Sequence, residues 1–262
     1  MFPRGTGNKA IAFLGVASAN PLATLAVDSV FDLCLLKMGN GGTHSVSRWR
    51  FSDSLEKLDN ITDWALGQFR NHYEKDKKPK RSVTKDAIFF YVYGVFNDPI
   101  YRDKYAQNLK REFPRVPYYA DFWKWAEWGE QLMALHTGYE TVKPWKLKRV
   151  VVVDKTAKKS GIAPKAILRA VKETGVIILD SDTQLTGVPK EAWDYRLANR
   201  SALEWILDQH KEKTPKDPTI REKFNTYRFA DHKEKVIDLL MRVTRVSVET
   251  MEIIEAMKKE KR

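Results

Sequence analysis

The sequence predicts a mixed α/β (α+β) fold: a helix-rich single domain with a small mixed sheet and a strand-rich portion over residues 1–59. Hydrophobic residues make up 43% of the 262 residues and aromatic residues 11%, which is enough apolar surface to bury a core. Two β-branched runs near the middle alternate with segments of helical periodicity. No glycine- or serine-rich linker divides the chain, so one domain over residues 1–262 is the economical interpretation.

The amino-terminal portion is predicted to contain short strands. Candidates are Ala10–Ala17, Asp32–Lys37 and Arg48–Phe51, with the glycine-rich residues 39–42 as a loop. The first apolar run also fits a secretory signal, because small residues follow it. Another apolar run, Leu22–Val27, follows and counts against a signal, and a buried strand over the first run with a turn at Asn20-Pro21 explains the same residues.

Capping residues divide the next eighty residues into helices. Thr84 and Asp121 are typical N-caps, and Asp98 followed by Pro99 is a strong helix-start pattern. The predicted helices are Ile61–Tyr73, Lys85–Phe96, Ile100–Glu112 and a long one from Asp121 to about Tyr139.

The second half is predicted to combine strands and helices. Arg149–Val153 and Val176–Leu179 are predicted strands, and Pro164–Thr174 between them is a predicted helix ended by Gly175. Ser201 with Glu204 forms a capping box for a helix to about His210. A polar loop over 211–226 and two helices, broken near Arg245–Val246, complete the prediction.

The positive charge of this chain is concentrated in two segments. Lys and Arg number 46 against 34 Asp and Glu, a formal net charge of +12. Residues 143–172 hold ten basic residues and one acidic residue, and residues 75–85 hold six and one. Such segments favour a polyanionic partner, although a solvated surface is the alternative and is our interpretation of the short basic tail, Lys258–Arg262. No apolar stretch is long enough to cross a membrane.

Most catalytic signatures are missing from the sequence. It contains no phosphate-binding P-loop, no His-Glu-x-x-His and no nucleophile elbow, and the five histidines are scattered singly. The single cysteine, Cys34, excludes a disulfide framework within one chain. Asn20-Pro21-Leu22-Ala23 begins like the loop of amino-methyltransferases but lacks the aromatic that stacks on a flipped base. An enzyme with an unrecognised active site is therefore the least favoured hypothesis.

The remaining polar groups suit nucleic-acid binding. Cations neutralise phosphates, while arginine and asparagine also read base edges. The predicted phosphate contacts are Lys155, Lys158, Lys159, Ser160 and Lys165. The predicted base readers are Arg48, Arg50, Arg196, Asn199 and Arg200. Trp49 lies between two of these arginines, and a core position is favoured over a base-stacking role.

Four stretches of the chain resemble a known family. They are AIAFLGVASANPLATLAVDSVFDLCLL near the amino terminus, YVYGVFNDPIYRDKYAQNLKRE continuing into FPRVPYYADFWKWAEWGEQLMALHTGYE, WDYRLANRSALEWILDQH, and LLMRVTRVSVETMEII. Together they resemble the carboxy-terminal specificity domain of type ISP restriction-modification enzymes. The resemblance implies a target recognition domain whose nuclease, ATPase and adenine methyltransferase partners lie upstream, outside this chain.

Two hypotheses follow from the residues and the resemblance. In the first, the chain recognises a specific double-stranded DNA sequence, so that other domains methylate, translocate on or cleave the DNA. In the second, it is a docking module with only non-specific DNA contact, and Leu239–Ile254 forms its core or its docking face. We expect a cytoplasmic monomer without catalytic residues, metal or membrane contact, which packs against the methyltransferase domain of the same polypeptide. S-adenosylmethionine and ATP with magnesium are implied only for the upstream domains.

Overall fold

A computed structural model describes residues 6–16, 18, 20–36, 42–75, 80–152, 163–223 and 227–262. The chain divides into two compact units. The first comprises Met1–Gly138, Leu197–Asn199 and Glu252–Arg262, and the second comprises Tyr139–Arg196 and Arg200–Met251. The described residues form eight α-helices and several small sheets, which confirms the predicted helix-rich mixed α/β class. The sheet predicted as mixed is instead antiparallel at each strand pairing described.

The first unit begins with two small antiparallel sheets. Its strands are β1 (Ala10–Phe13), β2 (Thr24–Val27), β3 (His44–Ser47), β4 (Trp49–Phe51) and β5 (Lys57–Asp59). The first three lie in the order β2-β1-β3, and β4 pairs with β5.

The strand predicted at Asp32–Lys37 is wrong, because its described part is a turn. Oδ1 of Asp32 accepts a hydrogen bond of 2.7 Å from the Cys34 amide, and the Asp32 carbonyl accepts one of 2.9 Å from the Leu35 amide. An aspartate side chain that bonds to the backbone two residues later competes with strand pairing.

Five helices follow in the first unit: α1 (Asp63–Tyr73), α2 (Lys85–Asn97), α3 (Pro99–Lys104), α4 (Ala106–Arg111) and α5 (Phe122–Thr137). The predicted caps Thr84, Asp98 and Asp121 each accept a backbone N–H bond at the start of a helix. The single helix predicted over 100–112 is wrong, because Tyr105, with φ −106° and ψ 17°, separates α3 from α4.

Helices α2 and α5 pack against each other at two glycines. A Cβ atom placed on Gly129 would lie 1.8 Å from the carbonyl oxygen of Phe90, and one on Gly94 would lie 2.5 Å from that of Trp125. Backbone therefore touches backbone here, and the neighbouring Trp125 is fully buried in the core of this unit.

The carboxy-terminal residues are tied to the first unit. Arg262 donates to both carboxylate oxygens of Asp98, which is completely buried, and Lys124 pairs with Glu260. The hydroxyl of Tyr119 donates a 2.8 Å bond to the same carboxylate of Asp98. The prediction of a solvated tail is therefore wrong for Arg262.

The second unit is built on a four-stranded antiparallel sheet of order β6-β9-β8-β7. The strands are β6 (Lys148–Val151), β7 (Ala166–Val171), β8 (Val176–Asp180) and β9 (Thr183–Thr186), with 3-10 turns at Lys172–Thr174 and Lys190–Trp193. The helix predicted over Pro164–Thr174 is wrong because this segment pairs with β8 as β7. Gly175, with φ +64°, ends no α-helix; it caps the 3-10 turn Lys172–Thr174 that joins β7 to β8.

A hairpin and three helices complete the chain: β10 (Arg196–Leu197), β11 (Arg200–Ser201), α6 (Ala202–Gln209), α7 (Pro218–Lys223) and α8 (Phe229–Lys258). The capping box of Ser201 and Glu204 is confirmed at the start of α6. The predicted loop over 211–226 contains α7 in its described part.

Helix α8 is a single helix of 30 residues, so the break predicted near Arg245–Val246 is wrong. The hydroxyls of Thr244 and Ser247 donate to the carbonyls of Leu240 and Val243 one turn earlier, so these buried polar groups are satisfied within the helix. No helix in the described ranges combines the length and the apolar composition needed to span a membrane.

Candidate nucleic-acid interface

Arg48 occupies a structural position in the first unit. It is 7% exposed; its Nε atom lies 2.5 Å from Oδ1 of Asp86, and its Nη1 atom lies 2.7 Å from Oδ1 of Asp59. The hydrogen bond from Arg48 lowers the pKa of Asp59 below its usual value, and a further one from Lys85 acts in the same direction. The guanidinium is therefore held between two carboxylates, and its contact with a base stays a prediction.

Arg50 and Trp49 differ from Arg48 in exposure and in partners. Arg50 is exposed on β4, and within the described residues its side chain has no ion pair. The indole of Trp49 has the guanidinium of Arg48 3.7 Å from its centroid and the ammonium of Lys57 4.0 Å away. These cation–π contacts already occupy the ring, which favours the structural role over base stacking.

The main basic segment is only partly described. Lys155, Lys158, Lys159 and Ser160 lie outside the described residues, and their predicted phosphate contacts stay predictions. Lys165 is described and exposed just before β7.

The described residues on either side of 153–162 are held by the turn between β8 and β9. The Val152 amide donates to the Asp182 carbonyl at 2.7 Å, and the Ser181 amide donates to the Lys165 carbonyl at 3.0 Å. Lys233 of α8 anchors the same turn, with its Nζ atom 2.7 Å from Oδ2 of the buried Asp180. The two flanking stretches are therefore fixed at one end of the sheet.

The predicted base readers near β10 and β11 have different surroundings. Arg196 and Asn199 are both exposed. The guanidinium of Arg200 lies 2.7 Å from Oδ2 of Asp208 and lowers the pKa of that carboxyl. Ala198, in the turn beside Asn199, has φ +59°, a left-handed conformation that is costly for a residue with a Cβ atom. Arg200 therefore has a structural partner, while the turn itself is strained.

The second unit has one surface that sequence reasoning missed, the half-exposed side of its four-stranded sheet, which we call the open face. One cross-strand line of the open face joins Val150, Gln184, Ile178 and Arg169, and the next joins Lys148, Thr186, Val176 and Val171. The opposite side of the sheet carries the buried Leu168, Ile177, Leu179 and Leu185.

The open face has cations but no carboxylate on its two lines. Lys148 and Arg169 are exposed at its two edges, and Gln184 is half-buried near its centre. Across the described part of the chain, none of these three side chains has a hydrogen bond or an ion pair. Lys148 and Arg169 belong to the basic segment 143–172, which is the sequence signal that could have indicated this surface.

Together these features define a basic, helix-rich α/β module. Within the described ranges, no group of three or more His, Cys, Asp and Glu side chains is placed to hold a metal ion. A family model, the Type ISP C-terminal specificity domain, matches residues 1–239. The chain therefore belongs to the Type ISP C-terminal specificity domain family. No curated protein matches the chain.

Three solved structures are similar to the chain. The cryo-EM structure of a DrdV–DNA complex has a TM-score of 0.89 and 49% identity, covering 100% of this chain and 26% of that one. A nuclease-deletion mutant of the Type ISP restriction-modification enzyme LlaGI, in complex with a DNA substrate mimic, has a TM-score of 0.71 and 25% identity, covering 99% and 22%. The ATP-dependent Type ISP enzyme LlaBIII bound to DNA has a TM-score of 0.73, 23% identity and coverage of 98% and 16%, a likeness of fold alone.

Proposed function

We propose that this chain is the sequence-specific double-stranded DNA recognition module of a Type ISP restriction-modification enzyme. The observation that carries the proposal is the 49% identity and the TM-score of 0.89, over 100% of this chain, to DrdV in a DNA complex. The localised positive charge supports it independently, since cationic segments release counterions from the phosphate backbone.

The described contacts divide the candidate residues by role. Lys165, together with the predicted contacts Lys155, Lys158, Lys159 and Ser160, would bind phosphates. Arg50, Arg196 and Asn199 are exposed and would read base edges. Arg48 and Arg200 are held by carboxylates, so their first role would be to support the backbone beside those readers.

The chain spans about a quarter of the DrdV chain and less of the other two enzymes. In this proposal, catalysis belongs to other domains of the same polypeptide, which include an adenine methyltransferase that packs against this chain. S-adenosylmethionine and ATP with magnesium would bind those domains, because this sequence has neither the P-loop nor the methyltransferase loop. The protein would act as a cytoplasmic monomer on an asymmetric target.

Binding to duplex DNA as a function of salt tests the proposal. If about six phosphates are contacted, the logarithm of the association constant falls with the logarithm of salt concentration at a slope near −5. Selection from a randomised DNA library should then return one preferred sequence. A flat salt response, or a selection that returns no preference, would contradict the proposal.

A docking module with incidental DNA contact is the second candidate. The exposure of two apolar side chains in one loop favours it, since Val30 is 82% exposed and Leu33 67%. The two candidates differ in the randomised-library selection, because a docking module would bind all sequences alike. Replacing both residues with serine should weaken binding to the methyltransferase domain if this loop is the docking surface, and the library selection then separates the two candidates.

A further inference from the structure

The open face has the charge distribution of a DNA-binding surface. Its two cross-strand lines contain Lys148 and Arg169 but no Asp or Glu. Within the described residues, neither cation is neutralised by an ion pair. Apolar and small polar side chains fill the space between them, and the carboxylate of Asp180, two residues beyond Ile178 on β8, is buried and paired with Lys233. Duplex DNA, with its closely spaced phosphates, is the partner that complements this face.

The two cations are far enough apart for their side chains to reach the two rims of a DNA groove. Lys148 lies on β6 and Arg169 on β7, the two edge strands, so three strand spacings separate them. At about 4.8 Å per spacing the two strands lie about 14 Å apart, and the offset of two residues between Arg169 and Val171, which is in line with Lys148, brings the separation to about 16 Å. The major groove is about 12 Å wide, so the long cationic side chains can reach phosphates on both of its rims.

Gln184 lies between the two cations on the same face. It is on β9, directly opposite Ile178 of β8, and both strands are in the middle of the sheet. Its amide carries both a donor and an acceptor, and in the described part of the chain neither is used within the protein. A glutamine amide forms two hydrogen bonds with N6 and N7 of adenine, and Ile178 offers an adjacent apolar contact.

We propose that the open face binds the major groove of the DNA target, that Lys148 and Arg169 hold the phosphates on its two rims, and that Gln184 specifies one adenine. This inference rests on the proposed function, since it assigns the recognising surface and one specificity-determining residue to it. It adds three residues to the individual DNA contacts that were predicted from the sequence.

The test compares variants of the full-length protein by selection from a randomised duplex library. With Gln184→Ala, the preference at one position should fall about tenfold while the other positions keep theirs. Gln184→Glu keeps the side-chain length but removes the donor to adenine N7, an acceptor that repels a carboxylate, so the preferred base should change from adenine to cytosine, which offers its N4 donor. A change of preferred base is a result that partial unfolding cannot produce.

The cations are tested by salt dependence. Lys148→Ala and Arg169→Ala should each weaken binding to all sequences alike and should each reduce the magnitude of the salt slope by about 1. Lys235→Ala is the matched control, because it removes the same charge from an exposed position on α8. Helix α8 lies on the other side of the sheet, where its Glu234 contacts Arg149. Gln131→Ala, on the exposed side of α5, is the matched control for Gln184.

The outcomes distinguish a failure of the open-face assignment from a failure of the proposed function. If the unaltered protein selects a sequence and both Gln184 variants select the same one with equal strength, the assignment of the open face is overturned and the proposed function stands. If Lys235→Ala changes the salt slope as much as Lys148→Ala, the open face has no special role. If the unaltered protein selects no sequence, the proposed function fails and this inference fails with it.

Discussion

Arg262 binds Asp98 across 164 residues of sequence, with Nε 2.8 Å from Oδ2 and Nη2 2.5 Å from Oδ1. Asp98 is completely buried and is also the N-cap of α3, where its Oδ1 accepts the Ile100 amide at 3.0 Å. One carboxylate therefore fixes both the start of a helix and the end of the chain.

Arg262→Ala should lower the free energy of unfolding of the first unit by about 3 kcal/mol, because it leaves a buried carboxylate without its cation. Urea unfolding followed by circular dichroism measures the change. Arg115→Ala is the control: its side chain is 85% exposed and pairs with Glu112 at the surface, so its loss should cost less than about 1 kcal/mol. Equal costs for the two variants would contradict the structural role of Arg262.

Arg48 and Arg50 should respond in opposite ways to substitution. Arg48→Ala leaves Asp59 and Asp86 without their shared guanidinium and should lower the free energy of unfolding by about 2 kcal/mol. Arg50→Ala should leave stability unchanged to about 0.5 kcal/mol and weaken DNA binding, because its side chain is exposed and has no ion pair in the described structure. Thermal unfolding and DNA binding, both measured on each variant, separate the two effects. Loss of stability in the Arg50 variant alone would reverse this assignment.

Gly129→Ala should disrupt the packing of α2 against α5. The added methyl group would overlap the Phe90 carbonyl, and because the obstacle is backbone, a change of rotamer cannot relieve it. We expect a loss of at least about 3 kcal/mol, or failure to fold. Gly67→Ala in α1 is the matched control, since a Cβ atom there meets nothing within 4 Å. This substitution should stabilise the helix by about 0.5–1 kcal/mol. Tolerance of alanine at both positions would show that the helices do not approach as described.

His136 should make the stability of the first unit depend on pH. Burial lowers its pKa from the usual 6.5 to about 3. Its Nδ1 atom contacts the hydroxyl of Tyr93, which accepts a 2.8 Å bond from the Ala26 amide, so the group facing this ring nitrogen is a hydroxyl rather than a carboxylate or carbonyl. The neutral imidazole is therefore the form that fits the folded protein.

The unfolded chain binds a proton at this histidine below pH 6.5, whereas the folded chain does not until about pH 3. Stability is therefore lost as pH falls through this range, by about 1.4 kcal/mol per pH unit, or about 2 kcal/mol at pH 5. Urea unfolding at pH 7 and pH 5 measures this loss. His136→Gln should be less stable at pH 7 but should lack this part of the pH dependence. If the variant and the unaltered protein lose the same stability between the two pH values, His136 is not the group responsible.

Local signals in the sequence predicted the helices of this chain better than its strands. Thr84, Asp121 and Ser201 cap helices as predicted, because a cap bonds to backbone within three residues of itself. Strands β2, β3 and β5 were missed; each has four or fewer residues, and each exists because a partner strand lies beside it. Pairing with β8 likewise overrode the helical appearance of residues 164–174.

The sequence predicted the positive charge of the candidate interface but not how its residues are arranged. The sequence indicated Lys165 and the segment around it, yet it also placed Arg48 among base readers although two carboxylates hold it. Lys148 and Arg169 were indicated only as members of the basic segment and Gln184 gave no signal, because the proximity of the three residues depends on cross-strand register. The register between strands is set when the sheet folds, and it cannot be deduced from the spacing of residues along one strand.

The contact between α2 and α5 also has a use in comparing sequences. Gly94 and Gly129 meet carbonyl groups of the opposite helix, so neither position can vary while the two helices keep their distance. Surface residues that contact different DNA targets are under no such constraint. This pair of glycines, each on an aromatic-rich helix, should therefore serve as a marker for detecting distant relatives of the first unit after overall identity has fallen too low to reveal them.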